Sequence, residues 1–288
     1  MIAPRPVRQV RLIAPASPFE PGPFEAGRGL LESMGLELAI DPRIHERAGY
    51  LAGGDESRAA QLREALSAAG DVLALCVRGG YGTMRLLPGL AASASSGEAM
   101  LWGFSDITAL LNVLTRRGRR VVHGPVLTQW GRLDAASLAA VEQLLRSGVP
   151  MPLRGTPVRG PTAQGTIVGG NLTLLCALLG TPYAADFNGK LLVLEDTNEP
   201  AYRIDRLLTQ LRLAGVFQRV AGVALGTFDG VARSDWEHLI DELAETLPCP
   251  LVVDLPIGHA ERNWPLPFGW PARLDGASGL LRFDGGSE

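Results

Sequence analysis

Short apolar runs alternate with stretches of helical spacing along most of this chain. Val10–Ile13 reads as a strand, Phe24–Met34 as a helix and Leu36–Ile40 as a second strand. In Ser57–Ala69 the apolar positions Leu62, Leu66 and Ala69 share one helix face, with Asp55, Glu56 or Ser57 available as the cap. Val72–Val77 is an unbroken apolar run, and Met100–Gly103 and Val121–Val122 add two short strands. Continuously apolar strands between helices predict a parallel sheet covered on both faces. A helix is expected over Ala135–Leu145. The stretch after it, Ser147 to Gly165, is rich in proline and glycine, which discourages regular structure and predicts a linker. Beyond it, helices at Asn171–Leu179, Ala201–Leu213 and Trp236–Thr246 alternate with strands at Leu191–Leu194, Val223–Thr227 and Leu251–Asp254. The tail Ala272–Phe283 predicts a hairpin about Gly276-Ala277-Ser278-Gly279. The pattern therefore predicts an α/β protein of two domains, residues 1–126 and 166–288, joined through a linker region at 127–165, with no internal repeat.

Composition narrows the class. Of 288 residues, 46% are hydrophobic and 20% charged, the profile of a globular chain long enough to bury a core without staples. The net charge of −3 and the absence of a dense Lys/Arg run give nucleic acid little electrostatic purchase. Near the N-terminus the apolar stretch Val10–Ala16 is broken by Arg11 and Pro15, unlike the core of a secretory signal. No window approaches the roughly 18 uninterrupted apolar residues of a membrane span. Cys76, Cys176 and Cys249 lie far apart in apolar surroundings and read as buried free thiols of a reducing compartment. The expectation is a soluble, intracellular protein.

Four segments carry residues with chemistry. Ser105, in Gly103-Phe104-Ser105-Asp106, stands where a strand gives way to a helix. A nucleophile there is lifted clear of the sheet, beside free N–H groups that stabilise an oxyanion. The position resembles a nucleophile elbow, although Ile107 replaces the second glycine of G-x-S-x-G. A helix-capping serine is the competing reading. Arg78-Gly79-Gly80-Tyr81-Gly82 follows a buried strand, and its glycines permit a close backbone approach to a ligand or simply a tight turn. Glu195, Asp196 and Glu199 follow the strand at Leu191. Glu195, nearest the sheet, is the catalytic candidate, while Asp196 suits a turn or cap and Glu199 the start of the next helix. His259 follows the strand at Leu251, with His123 as its rival. No histidine pair has metal-ligand spacing, so a metal is not expected. Serine, carboxylate and imidazole thus each fall just after a strand, the set that a serine nucleophile needs, divided between the two halves of the chain.

The chain resembles the bacterial LD-carboxypeptidases, a family of murein tetrapeptide hydrolases that includes the microcin C immunity hydrolases. The resemblance spans nearly the whole chain: LIAPASP, CVRGGYGTMRLLP, GFSDITALL, HGPVL, GTIVGGNLTLLCALLGTPY, LLVLEDTNEPAYRIDRLLTQLRLAGVF, LGTF and PIGHAERNWPLPFG, in order. It implies an N-terminal flavodoxin-like domain, a smaller C-terminal α/β domain and an active site in the cleft between them. It also implies a Ser105–Glu195–His259 triad, with oxyanion donors at the N–H of Asp106 and of Gly79 or Gly80. Arg78, Tyr81, Arg203 and Arg262 lie in matching motifs and are candidates for binding substrate, each arginine having a local salt bridge as the plainer reading. The resemblance further implies a murein tetrapeptide or muropeptide substrate, no cofactor, a homodimer and a cytoplasmic role in recycling peptidoglycan. Trp264 and Pro265 fall where variable residues are expected. The short stretch between Pro125 and Gly165 has no evident element to grip an aminoacyl nucleotide, which favours the wall peptide over an immunity-type substrate. A non-catalytic, two-lobed binding protein is the remaining alternative.

Overall fold

The computed structural model describes residues 5–92 and 97–284. Its first sheet contains β1 (Gln9–Ile13), β2 (Glu37–Ile40), β3 (Val72–Cys76), β4 (Met100–Gly103) and β5 (Val121–His123), all parallel, in the order β2-β1-β3-β4-β5. This is the flavodoxin-like order, whose ligand crevice lies beyond the carboxyl ends of the strands. Its helices are α1 (Pro21–Ser33), α2 (Asp55–Leu66), α3 (Leu87–Ala92), α4 (Thr108–Arg116) and α5 (Ala135–Ser147).

The alternation of side chains along each strand explains the layers. Val10 and Leu12 of β1, with Leu73 and Leu75 of β3, pack on one face against Phe24 and Leu31 of α1 and Leu144 and Leu145 of α5. Ile13, Ala74 and Cys76 point the other way, into a core with Leu62 and Leu66 of α2 and Leu110 and Leu111 of α4. Each such leucine stabilises by about 1.5–3 kcal/mol on burial, so losing either face would exceed the net stability of an ordinary domain.

The later elements are β6 (Leu153–Arg154), β7 (Thr156–Arg159), β8 (Thr162–Asn171), α6 (Leu172–Leu178), β9 (Leu191–Thr197), α7 (Ala201–Leu213), β10 (Gly222–Asp229), α8 (Arg233–Thr246), β11 (Leu251–Val253), β12 (Leu266–Phe268), β13 (Pro271–Asp275) and β14 (Leu280–Phe283). All the strands but β12 form a second sheet, ordered β6-β14-β13-β8-β9-β10-β11-β7, with β8 to β11 parallel. Helices α6, α7 and α8 cover its outer face through Leu175, Ile204, Leu208 and Ile240. The tail forms the expected hairpin, β13 against β14.

The expectation that Ser147–Gly165 lacks regular structure is corrected. Helix α5 belongs to the first sheet's cover, and the proline- and glycine-rich stretch forms β6, β7 and the start of β8. Proline survives there because β7 is the outermost strand, where Pro157 has no second neighbour needing its N–H. A second feature escaped the periodicity. Strand β12 returns to the first sheet and pairs antiparallel with β5, setting Leu266 opposite His123. The loop between β11 and β12, which carries His259, therefore bridges the two sheets. All three cysteines are buried and free.

Candidate active site

Ser105 begins the tight turn Ser105–Ile107 between β4 and α4, with φ at +62°. A non-glycine residue in this left-handed region costs roughly 1–2 kcal/mol, a strain that surrounding packing must hold. Residues 101–114 are buried except Ser105, which is half-exposed. The turn has no side-chain cap, and its capping position is Phe104, so Ser105 does not serve as the helix cap. Neighbouring Asp106 is locked to the glycine loop: its Oδ2 accepts from Thr83 N at 2.9 Å, and Thr83 Oγ1 donates to its carbonyl at 2.6 Å. Burial raises the Asp106 carboxyl pKa, and the Thr83 bonds oppose that shift.

The loop after β3 lies directly against the serine. A Cβ on Gly79 would stand 3.0 Å from Ser105 Cβ and 3.3 Å from its Oγ, so only glycine leaves that space open. Gly80 turns instead toward Ser17, whose Oγ accepts from Tyr81 N at 3.1 Å. Fully buried Arg58 donates to Pro15 O at 2.5 Å and Gly82 O at 3.1 Å, joining the loops after β1 and β3. Sequence reasoning missed Arg58, Ser17 and Thr83 because their bonds to Pro15, Gly82, Tyr81 and Asp106 join positions far apart in the chain.

In the second sheet, Glu195 lies within β9, has no exposure, and is followed by buried Asp196. His259 Nδ1 donates to Glu195 Oε2 at 2.8 Å, and its ring lies 4.5 Å from that of Phe104, the residue before Ser105. Thus the Phe104–His259 contact brings the Glu195–His259 pair beside the Ser105 turn. Burial favours a neutral Glu195, but His123 and His259 outweigh it and hold the carboxyl well below its usual range. For His259 burial favours the neutral ring, yet the bond to Glu195 and its charge prevail and raise the pKa. The loop's position is set from the first lobe: Asn263 N donates to Ser137 Oγ at 3.0 Å, Asn263 Nδ2 to Gln129 Oε1 at 3.3 Å, and Asp134 N to Glu261 O at 3.0 Å.

Asp196 caps α6 by accepting from Asn171 Nδ2, Thr173 N and Thr173 Oγ1 at 2.8–2.9 Å. Glu199 pairs with Arg203 at 3.3 Å, one helical turn on. Arg262 faces Asp134 at 3.6 Å, and Arg78 donates to Pro18 O at 2.5 Å. Only Arg203 thus has the local salt bridge of the plainer reading; Arg262 meets an acid far along the chain and Arg78 a backbone carbonyl. Half-exposed Tyr81 stacks edge-on with Tyr50 at 5.5 Å. His123, considered at the sequence level only as a rival base, is fully buried, with Nε2 3.6 Å from Glu195 Oε1. Its position at a strand end before Gly124-Pro125 was the available signal.

The models of the LD-carboxypeptidase N-terminal and C-terminal domains match residues 10–124 and 164–274. The chain is 35% identical over 288 residues to the murein tetrapeptide carboxypeptidase of Pseudomonas aeruginosa, covering 93% of each. It is 34% identical over 285 residues to the probable murein peptide carboxypeptidase of Bacillus subtilis, covering 93% of this chain and 89% of that one. Among solved structures, the muramoyltetrapeptide carboxypeptidase from Oxalobacter formigenes superposes with a TM-score of 0.85 at 30% identity, over 96% of this chain and 97% of the other. The wild-type microcin C7 self-immunity protein shares the fold, with a TM-score of 0.84 at 18% identity, over 98% and 97%. With two such lobes and matches across most of its length, this chain belongs to the LD-carboxypeptidase family.

Proposed function

We propose that this protein is a serine LD-carboxypeptidase that hydrolyses the bond between the L-centre of a diamino acid and the terminal D-alanine of murein tetrapeptides. The observation that carries the reading is the 2.8 Å His259–Glu195 pair from one lobe, set against the left-handed Ser105 turn of the other. Glu195 accepts Nδ1–H and so leaves Nε2 as the basic nitrogen of His259. His259 removes the hydroxyl proton as Ser105 Oγ attacks the carbonyl carbon. The oxyanion is held by the N–H of Asp106 and by an N–H flanking the Gly79 Cα, that of Gly79 or Gly80, each worth about 3 kcal/mol in reactions of this kind. His259 then protonates the D-alanine nitrogen, the C–N bond breaks, and an acyl ester remains on Ser105. Water, deprotonated by His259, attacks the ester and releases the shortened peptide and free Ser105. Recognition of the terminal carboxylate falls to Arg78, Arg203 or Arg262, with Tyr81 offering an apolar face. A cytoplasmic homodimer working in peptidoglycan recycling without a cofactor completes the reading. Mass spectrometry of a murein tetrapeptide incubated with the wild type and with Ser105→Ala tests it. Loss of one alanine by the wild type alone is expected, and an unchanged tetrapeptide with folded wild-type protein overturns it.

A further inference from the structure

Glu195 lies between two imidazoles, and only one has a place in the mechanism above. Its Oε2 holds His259, while its Oε1 has no hydrogen-bond partner among the described residues, and neither does either ring nitrogen of His123. All three atoms are shielded from solvent, where unpaired polar groups are rare and costly. The unmatched atoms face one another: His123 Nε2 and Glu195 Oε1 are 3.6 Å apart, about 0.6 Å more than an ordinary N–H···O bond. His123 belongs to β5 of the first lobe and Glu195 to β9 of the second, so a bond across this gap would join the two lobes.

The surroundings fix the imidazole in this orientation. Its ring stacks on Phe268 at 5.5 Å and 12° and meets Phe104 edge-on at 5.8 Å. Gly170 admits it: a Cβ there would stand 2.6 Å from Thr108 Oγ1 and 3.2 Å from His123 Cδ2. Phe104 just after β4, Phe268 of β12, Thr108 of α4 and Gly170 of β8 thus surround the ring, none of them charged. The titratable groups on this side are Glu195 and, through it, His259, on which Asp196 and Asp229 also act.

We propose that His123 is a positioning residue whose Nε2–H is the second donor to Glu195, fixing the carboxylate against His259 and linking it to the lobe that carries Ser105. The role rests on the Ser105–His259–Glu195 reading, but its first test needs no substrate. In histidine-labelled wild-type protein, nitrogen NMR of the imidazoles should find His123 protonated at Nε2. A neutral ring protonated only at Nδ1 would turn a lone pair toward the carboxylate and overturn the proposal.

The kinetic test replaces the ring. His123→Phe fits between the two phenylalanines and removes the donor. It should lower kcat/KM about 10- to 100-fold, the weight of one hydrogen bond to a charged group. Without the donor, the Glu195 charge acts more strongly on His259 and raises its pKa, so the acidic limb of kcat/KM moves to higher pH. His123→Gln, a neutral donor near the Nε2 position, should return the limb toward the wild-type position. A folded His123→Phe enzyme with an unmoved limb overturns the proposal whatever its rate. Should that variant not fold, the wild-type tautomer and the limb of His123→Gln decide. Failure of the wild type to cleave the tetrapeptide would sink the proposed reaction and leave the tautomer result to judge His123 on its own.

Discussion

The Ser105 turn and the His259 loop lie beside one another through the Phe104–His259 contact, and the chain holds them in different ways. The Ser105 turn is held by two bonds between Asp106 and Thr83, each joining a side chain to backbone, against the strain of a +62° φ. His259 sits on a loop whose position comes from Asn263, Gln129 and Ser137, and whose ring is oriented by a buried carboxylate on another strand. One side stores conformational strain in short-range geometry. The other stores charge in a dry environment and depends on residues far apart in sequence. Substitutions on the first side should therefore alter rate with little pH dependence, and those on the second should change the pH profile too.

Loss of the proposed nucleophile gives the largest expected effect. Ser105→Ala should lower kcat on a tetrapeptide by about 10⁴-fold or more, measured by D-alanine release, with an unchanged far-UV CD spectrum. Glu195→Gln follows, at about 10³- to 10⁴-fold, because an amide nitrogen turned toward Nδ1 favours the wrong tautomer of His259. Gly79→Ala would crowd Ser105 Cβ at 3.0 Å and should cost about 10²-fold in kcat, as displaced reacting groups do, with little change in the pH profile. A shifted profile in that variant would break the contrast between the sides.

The pH dependence has a definite sign. In the proposed mechanism His259 must be neutral to accept the Ser105 proton, and its pKa is raised, so kcat/KM should climb with pH through a limb above the ordinary imidazole value. The same shift stabilises the fold below the ordinary imidazole value, a contribution lost as pH rises through the raised pKa. Glu195, shifted downward, contributes stability above the ordinary carboxylate range that is lost on acidification. Urea titrations of the wild type and Glu195→Gln across pH would detect both slopes. The smallest expected effect concerns strain. Ser105→Gly should be more stable than Ser105→Ala by about 1 kcal/mol, since glycine adopts positive φ freely. Equal urea midpoints would remove strain from the account of the first side.

Much of this architecture was legible. Helix Ala201–Leu213 and strand Met100–Gly103 have the predicted bounds, because their apolar spacing and flanking turns are local properties. The ends of β3 and β4 could be read as places where Gly79 and Ser105 emerge, whereas Glu195, expected just after its strand, lies within β9. Strands β6, β7 and β12 could not. They are short pieces at sheet margins, specified by the backbone groups that they pair with rather than by a period of their own. Asp196 illustrates the same limit: adjacent in sequence to Glu195, it differs in role because its oxygens reach Asn171 and Thr173 instead of a histidine.

By itself, the sequence determined the two α/β lobes, the strand ends that carry chemistry and the family, all of which follow from local periodicity and from motifs in fixed order. Tertiary structure alone decided which carboxylate meets which imidazole, that Gly79 rather than Gly80 lies against Ser105, and that His123 comes to the far side of Glu195. Those outcomes depend on distances of a few tenths of an ångström across two sheets, whose relative position is set by packing around α4, β8 and β12 and by no single segment of the chain.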